Sequence, residues 1–313
     1  MENAIQTEGL TKRYRNQNGS AAVGDVNLEI GNGQLFGLVG PDGAGKTTML
    51  RILSTVLEQS EGTATVAGFD VKRNPEKIRT RVGYMPQNFS LYPDLNVLEN
   101  LEFFANIHAV SDERRKERIL EMLQFTRLDN FKNRRSRNLS GGMKKKLALA
   151  CALIHEPDIL LLDEPSTGVD PVSRRELWDI LSNVVQQGVT VMVSTPYMDE
   201  AERCEQVGIL HQGKLLKVGT PAELSSDLPF EIVEVKARPR KKMREIVQHT
   251  ENIAGWRPVG DRLRISTPSP DKVIRNLKSA FRKQKLEVKL LRKTRPSMED
   301  VFIHLLSNGW SEV

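Results

Sequence analysis

The sequence offers little that would tie it to an oxidising compartment or a bilayer. Among its 313 residues there are two cysteines, Cys151 and Cys204. Each lies in a segment that reads as a helix, so two reduced, unpaired thiols are expected in place of a disulfide or a cysteine metal site. No apolar run approaches the roughly 20 residues that a bilayer helix requires, and Met1–Gln6 has no basic segment followed by an apolar one. The expectation is a cytoplasmic chain that neither crosses a membrane nor is exported. Internal repeats and low-complexity tracts are missing too, which excludes a repeat architecture.

What is there can build a core. A hydrophobic content of 39% is ample, and the length allows two domains. The formal net charge of +6 is unevenly spread, because residues 1–228 carry 27 Lys/Arg against 30 Asp/Glu while residues 229–313 carry 19 against 10. A basic tail of this kind could meet nucleic acid or anionic lipid. Its charges alternate with apolar residues instead of forming a block, and this reads as a solvated face.

The first part alternates β-rich runs with helical patterns, the mark of an α/β layer architecture. A strand at Leu35–Val39 runs into a glycine-rich stretch, and a helix follows through about Leu57. From Asn96 to Asn138 the pattern is helical, with Asn96 placed to cap Val97–Ile107 and Ser111 to cap Asp112–Phe125. This reads as a helical subdomain, about residues 90–140, inserted in the sheet. A second α/β stretch holds a buried-strand pattern at Ile159–Leu162, a helix around Ser173–Gln186 and a strand at Thr190–Val193. After the turn-rich residues 225–229 the order becomes strand Phe230–Ala237, helix Arg240–Glu251, a hairpin near Gly260-Asp261, helix Asp271–Lys283, strand Leu286–Arg292 and a last helix from Ser297. That βαββαβ order predicts a small ferredoxin-like α+β domain over residues 229–313, after an α/β domain over residues 1–228.

Three motifs carry chemistry. Gly40-Pro41-Asp42-Gly43-Ala44-Gly45-Lys46-Thr47 fits G-x-x-x-x-G-K-[ST] between a strand and a helix. Backbone N–H groups and the helix N-terminus would converge on phosphate, Lys46 would meet the β and γ phosphates, and Thr47 would offer its hydroxyl to magnesium. Thr48 completes the expected nucleotide contacts. The strand Ile159–Leu162 delivers Asp163 and Glu164 at its carboxyl end. Asp163 would reach magnesium through water, and Glu164 would polarise the attacking water. Leu139-Ser140-Gly141-Gly142-Met143 opens a helix in which Leu147, Cys151 and Ile154 recur at an amphipathic spacing. Ser140 and the free amides of Gly141 and Gly142 make a second anion site. Two phosphate sites far apart in one chain make sense if two chains sandwich each nucleotide.

Together these motifs resemble the ATP-binding cassette ATPases from Ile5 to about Leu224, in the family's order. The resemblance implies the P-loop fold with an inserted helical subdomain, binding and hydrolysis of Mg-ATP, and a catalytic set of Glu164, Gln87 and Lys46. It implies that Tyr14 stacks on adenine and that Gln87 senses magnesium and the membrane subunit. Leu139–Met143 would complete a partner's site, and Asp170 would link the two sites of a dimer. Within the family the chain looks most like the ATPases of exporters with separate permeases, including drug-efflux systems, and Pro296–Phe302 resembles the ending common in that group. The implied partners are integral-membrane permeases, gripped by a groove near Gln87 and Asn88–Leu98, and a second ATP-binding subunit at the inner face of the membrane. No nucleic acid is expected; a cassette acting on nucleic acid or ribosomes is the alternative that the basic tail alone would suggest.

The sequence departs from the family at two places. Pro196, in Ser194-Thr195-Pro196-Tyr197, stands where members carry a histidine that contacts the γ-phosphate and the attacking water. Asp42 stands where asparagine is usual, an electrostatic cost beside phosphate unless it points away. Both touch the chain's own site. The expectation is a site that binds ATP but turns over poorly, paired with a second, different ATPase; a homodimer with two weakened sites and a regulatory subunit with little turnover are the alternatives.

Overall fold

The computed structural model describes residues 3–14, 20–88 and 91–308. The chain divides into two compact units, Met1–Thr220 and Pro221–Val313. The first runs β1 (Asn3–Arg13), β2 (Ala21–Gly31), β3 (Leu35–Val39), α1 (Lys46–Leu53), β4 (Glu61–Val66), β5 (Phe69–Asp70), α2 (Pro75–Arg79) and β6 (Val82–Met85). Three helices follow, α3 (Val97–Ile107), α4 (Asp112–Thr126) and α5 (Gly141–Leu153). The chain then returns through β7 (Ile159–Asp163), α6 (Pro171–Gln186), β8 (Thr190–Thr195), α7 (Met198–Ala201), β9 (Gln206–His211) and β10 (Lys214–Gly219).

The central sheet has the order β10-β9-β3-β8-β7-β6, parallel except for β10. Every residue of β3, β7 and β8 is buried, as strands of a parallel sheet covered on both faces must be. Hence their apolar runs do not alternate. The register sets Val39 beside Thr195 and Asp163 beside Ser194, so three strands end together at the edge where α/β sheets bind ligands. A second, antiparallel sheet has the order β2-β1-β4-β5, and its apolar face joins α1 and the central sheet in one core.

The helical region is held by local chemistry. Asn96 and Glu99 form a reciprocal capping box at α3, Glu99 N donating to Asn96 Oδ1 at 2.9 Å and Asn96 N to Glu99 Oε2 at 2.7 Å. Ser111 sits at the α4 N-cap, but its side chain makes no capping bond. α1 stops at Leu53, short of the expected Leu57, because Thr55 turns into the left-handed region at φ +61° and the amides of Val56 and Leu57 close on Arg51 O. The expected amphipathic character of α5 is also corrected. Lys146–Leu153 are all buried, since α3, α4, α6 and β6 all pack on this helix. Cys204 lies in a turn after α7, not in a helix; both thiols are buried and free, and burial pushes Cys204 up to about 12.

The second unit contains α8 (Pro221–Ser226), β11 (Glu231–Arg238), α9 (Arg240–Gln248), β12 (Gly255–Val259), β13 (Arg262–Thr267), α10 (Pro270–Lys283), β14 (Glu287–Thr294) and α11 (Met298–Asn308). α8 packs against α11, which moves the division between units from the expected 228/229 to 220/221. The antiparallel sheet β12-β13-β11-β14 has the ferredoxin-like order. One face, with Val233, Val235, Leu263 and Ile265, packs on Val247, Leu277 and Phe281 of α9 and α10.

Candidate functional site

The turn from β3 into α1 works only with glycine at Gly45. Its φ is +108°, and a Cβ there would stand 2.3 Å from the Ala22 carbonyl oxygen. This tight approach points Lys46 inward, where it is 3% exposed. Its Nζ donates to the carbonyls of Gly40 at 2.8 Å and Pro41 at 3.0 Å and lies 3.6 Å from Glu164 Oε1. Asp42 is exposed, and among the described residues Lys46 pairs with Glu164 and not with Asp42. Tyr14 reaches the same helix, its hydroxyl 3.3 Å from Thr48 Oγ1.

The acids arrive from β7. Asp163 is fully buried, and its Oδ1 accepts from Thr47 Oγ1 at 3.1 Å and Ser194 Oγ at 2.6 Å. Its Oδ2 is buried without a hydrogen-bond partner among the described residues. Glu164 sits beyond the strand with φ +49°, a costly conformation for a residue with a Cβ. Its amide is held by Ser194 Oγ and Ser194 O, both at 3.1 Å. Its carboxylate accepts from Gln87 Nε2 at 2.9 Å and Thr167 Oγ1 at 3.2 Å. Gly40–Thr48, Tyr14, Gln87, Asp163 and Glu164 therefore form one cluster although they are scattered over some 150 residues of sequence.

Ser140–Gly142 form a separate feature. Ser140 caps α5, with Met143 N donating to its Oγ at 3.3 Å, and among the described residues no hydrogen bond joins these three to the P-loop. Gly142 is required by packing, since a Cβ would meet Ser173 Oγ at 2.3 Å. Asp170 caps α6, accepting from the amides of Val172 at 3.1 Å and Ser173 at 3.0 Å. The hydrogen bonds from Ser173 hold its carboxyl below the usual range. Phe89 and Ser90, within the expected permease groove, lie outside the described residues.

Two contributors were missed in the sequence. Lys145 projects from α5 to the carbonyls of Gln87 at 3.1 Å and Glu164 at 3.5 Å, bridging the two segments. Burial lowers its pKa, against the pull of Glu164 and Asp163. Ser194 links Asp163 to Glu164 from the neighbouring strand. A polar residue ending an otherwise apolar strand was the available signal for Ser194; Lys145 is one of three consecutive lysines, and nothing in that run singles it out.

Position 196 follows a strand end that touches this site. The Thr195 carbonyl accepts from Gly40 N at 3.4 Å, and Pro196 follows directly. Beyond it the chain is pinned: Tyr197 N donates to Thr195 Oγ1 at 3.1 Å, Thr195 Oγ1 to Glu200 Oε2 at 2.6 Å, and Arg174 covers the Tyr197 ring at 4.7 Å. The histidines lie at other positions in the fold. His108 stacks on His155 at 3.8 Å, His211 ends β9, a strand that pairs with β3, and His249 and His304 belong to the second unit.

A family model described as ABC transporter matches residues 23–167. The daunorubicin resistance ATP-binding protein DrrA3 of Streptomyces coeruleorubidus is 33% identical over 307 residues, covering 97% of this chain and 96% of that one. The chain belongs to the ATP-binding cassette ATPases. The probable multidrug ABC transporter ATP-binding protein YbhF of Escherichia coli is 46% identical over 229 residues, 73% of this cassette chain, which spans 39% of that protein's length. Among solved structures, the dimeric post-hydrolysis state of the ATP-binding cassette MJ0796, bound to ADP and Pi, matches with a TM-score of 0.64 and 30% identity. That match covers 69% of this cassette chain and 98% of the other. No described helix is long and apolar enough to cross a membrane.

Proposed function

We propose that this chain is the ATP-binding subunit of an exporter, docked on permease subunits at the inner face of the cell membrane, and that its own site hydrolyses ATP slowly. The observation that carries the reading is the buried cluster at the carboxyl ends of β3, β7 and β8, in which Lys46 and Glu164 meet beside an incompletely paired Asp163. The printed names of the relatives, daunorubicin resistance and multidrug transport, favour export of drugs or other small molecules.

Phosphate oxygens are better partners for an ammonium than carbonyls are. ATP entering the loop would therefore draw Lys46 from Gly40 O and Pro41 O, with the amides of Gly43–Thr48 around the β and γ phosphates and Tyr14 beside the base. Glu164 would orient a water and accept its proton as the water oxygen bonds to the γ-phosphorus and the bridging oxygen leaves with ADP. The donor set fits magnesium, a hard cation that prefers oxygen ligands. Thr47 Oγ1 and Gln87 would hold it, Asp163 would reach it through water from its unpartnered Oδ2, and the bound ion would offset phosphate charge. The dimeric structural relative supports pairing, with Ser140–Gly142 facing the γ-phosphate of a partner's nucleotide.

Pro196 weakens one half of that arrangement. Proline neither donates a hydrogen bond nor carries charge, and loss of one positioned group typically costs about 10²- to 10⁴-fold in rate. A second, different ATPase then completes a competent site with this chain's Ser140–Gly142. The test is steady-state Mg-ATP hydrolysis and ATP binding by the purified chain, with Lys46→Ala as background and Pro196→His as repair. Binding with turnover near background, rising at least about tenfold in the histidine variant, is expected. Robust wild-type turnover would remove the weakened-site reading, and failure to bind ATP would remove the whole.

A further inference from the structure

The basic charge of the second unit is sorted by face. On the sheet face away from α9 and α10 three of the four cations of the central strands β11 and β13 have an acid, and Arg238, at the end of β11, forms no ion pair among the described residues. Glu234 accepts from Arg262, Arg264 and Arg292, and Lys236 pairs with Asp261. On the helical face the opposite holds. α9 and α10 carry nine Lys or Arg against two acids, Glu245 and Asp271. Lys241, Lys242 and Arg244 on α9 and Arg275, Lys278 and Arg282 on α10 are all exposed, and among the described residues none of these six forms an ion pair.

Helical packing explains why the sequence disguises this. Met243, Ile246 and Val247 of α9 and Val273, Leu277 and Phe281 of α10 are buried against the sheet, so the alternating cations all turn to the other side. Arg275, Lys278 and Arg282 follow one another at helical spacing along a single stripe. The two helices pack side by side on one sheet face, and their outer sides together carry a cationic layer.

We propose that this layer is a docking surface for the anionic lipid headgroups of a membrane. Unpaired like charges crowded on one face repel one another, a cost that an anionic partner removes. The face has no stacking platform for the bases of a single strand, because the one aromatic residue in these helices, Phe281, is fully buried. A bilayer carrying acidic lipids attracts such clusters additively, cation by cation. Choosing a bilayer over another polyanion rests on the transporter reading; the binding itself does not need the nucleotide site.

The experiment is co-sedimentation of the full chain with phosphatidylcholine vesicles, with and without phosphatidylserine, at low and high salt. Binding that requires phosphatidylserine and falls with salt is expected. The triple variant Arg244→Glu/Lys278→Glu/Arg282→Glu should bind more than about tenfold more weakly and keep ATP binding intact, and neutral Gln variants at these positions should fall between. Equal recovery with neutral vesicles, no recovery with acidic ones, or tighter binding to a DNA duplex than to acidic vesicles at matched salt would overturn the proposal. If the variant misfolds, the lipid and salt dependence of the wild type still decides. Loss of ATP binding with vesicle binding retained would count against the nucleotide reading alone.

Discussion

Two buried acid clusters, one in each unit, differ in how completely they are paired. In the second unit Asp300 accepts from Arg257 at 2.9 Å through Oδ1, and through Oδ2 from Arg264 at 2.6 Å and both the amide and hydroxyl of Ser297 at 2.9 and 2.8 Å. Burial alone would raise its pKa, but the bonds from Ser297, Arg257 and Arg264 bring it below the usual range. Both Glu234 oxygens are likewise satisfied by arginines. In the first unit Asp163 keeps an oxygen buried and unpaired, Glu164 is held with positive φ, and Lys46 rests on backbone carbonyls. A network whose carboxylates are all satisfied, even with the Nε of Arg264 left buried and unpartnered, spends its interactions on holding one structure. An incomplete one holds them for something that arrives.

The largest effect should come from substituting an acid of the incomplete cluster. Glu164→Gln preserves shape and keeps Gln87, Thr167 and Lys46 within reach of polar atoms. Hydrolysis at this chain's own site, read in the Pro196→His background, should fall to the level of Lys46→Ala, with folding stability changed by less than about 1 kcal/mol. Paired activity and denaturation measurements check both halves. A stability loss comparable with the activity loss would make this cluster a structural network like the other and end the contrast.

Arg264→Met is the reciprocal change. It takes a guanidinium from between Glu234 and Asp300 and leaves two buried carboxylates less well paired, which should destabilise the second unit by about 3 kcal/mol. ATP affinity should be unaffected. Calorimetry of the full chain with ATP titration would measure this; unchanged unfolding would mean that Arg262, Arg292, Arg257 and Ser297 suffice without it.

These two clusters were unequally legible in the sequence. The P-loop and the Asp163-Glu164 strand end are written in consecutive residues whose spacing follows from phosphate geometry, and β3, β7 and β8 follow from apolar runs of strand length. The order of the second unit's elements was equally readable, because helix and strand periods alternate cleanly there. Ser194 meeting Asp163, Lys145 meeting Gln87, and Arg264 lying between Glu234 and Asp300 are contacts made by strand register and helix packing. Local sequence carries no period for them. The tail's charges were read as dispersed for the same reason: alternation along the chain becomes segregation by face once an amphipathic helix lies on a sheet.

The smallest effect sharpens the contrast at its boundary, where Lys145 belongs to neither extreme. It is partly buried like the arginines of the second unit, yet it bonds to carbonyls of the two segments that carry Gln87 and Glu164. Burial lowers its pKa from the ordinary lysine value. The folded chain therefore sheds this proton at a lower pH than the unfolded chain does. Between the lowered value and about pH 10.4 the unfolded state binds more protons, so this group makes stability rise with pH across that window. Lys145→Met should remove the alkaline gain. It should also slow hydrolysis by less than about tenfold, the cost of one charge-assisted bond that positions Gln87 and Glu164 without touching nucleotide. Denaturation midpoints of wild type and variant compared from neutral pH up to about pH 10.4 test the first point, and the second is read as a change in kcat with KM preserved. An unchanged kcat would leave Lys145 a packing residue, whereas a fall as deep as that of Glu164→Gln would place it inside the incomplete cluster.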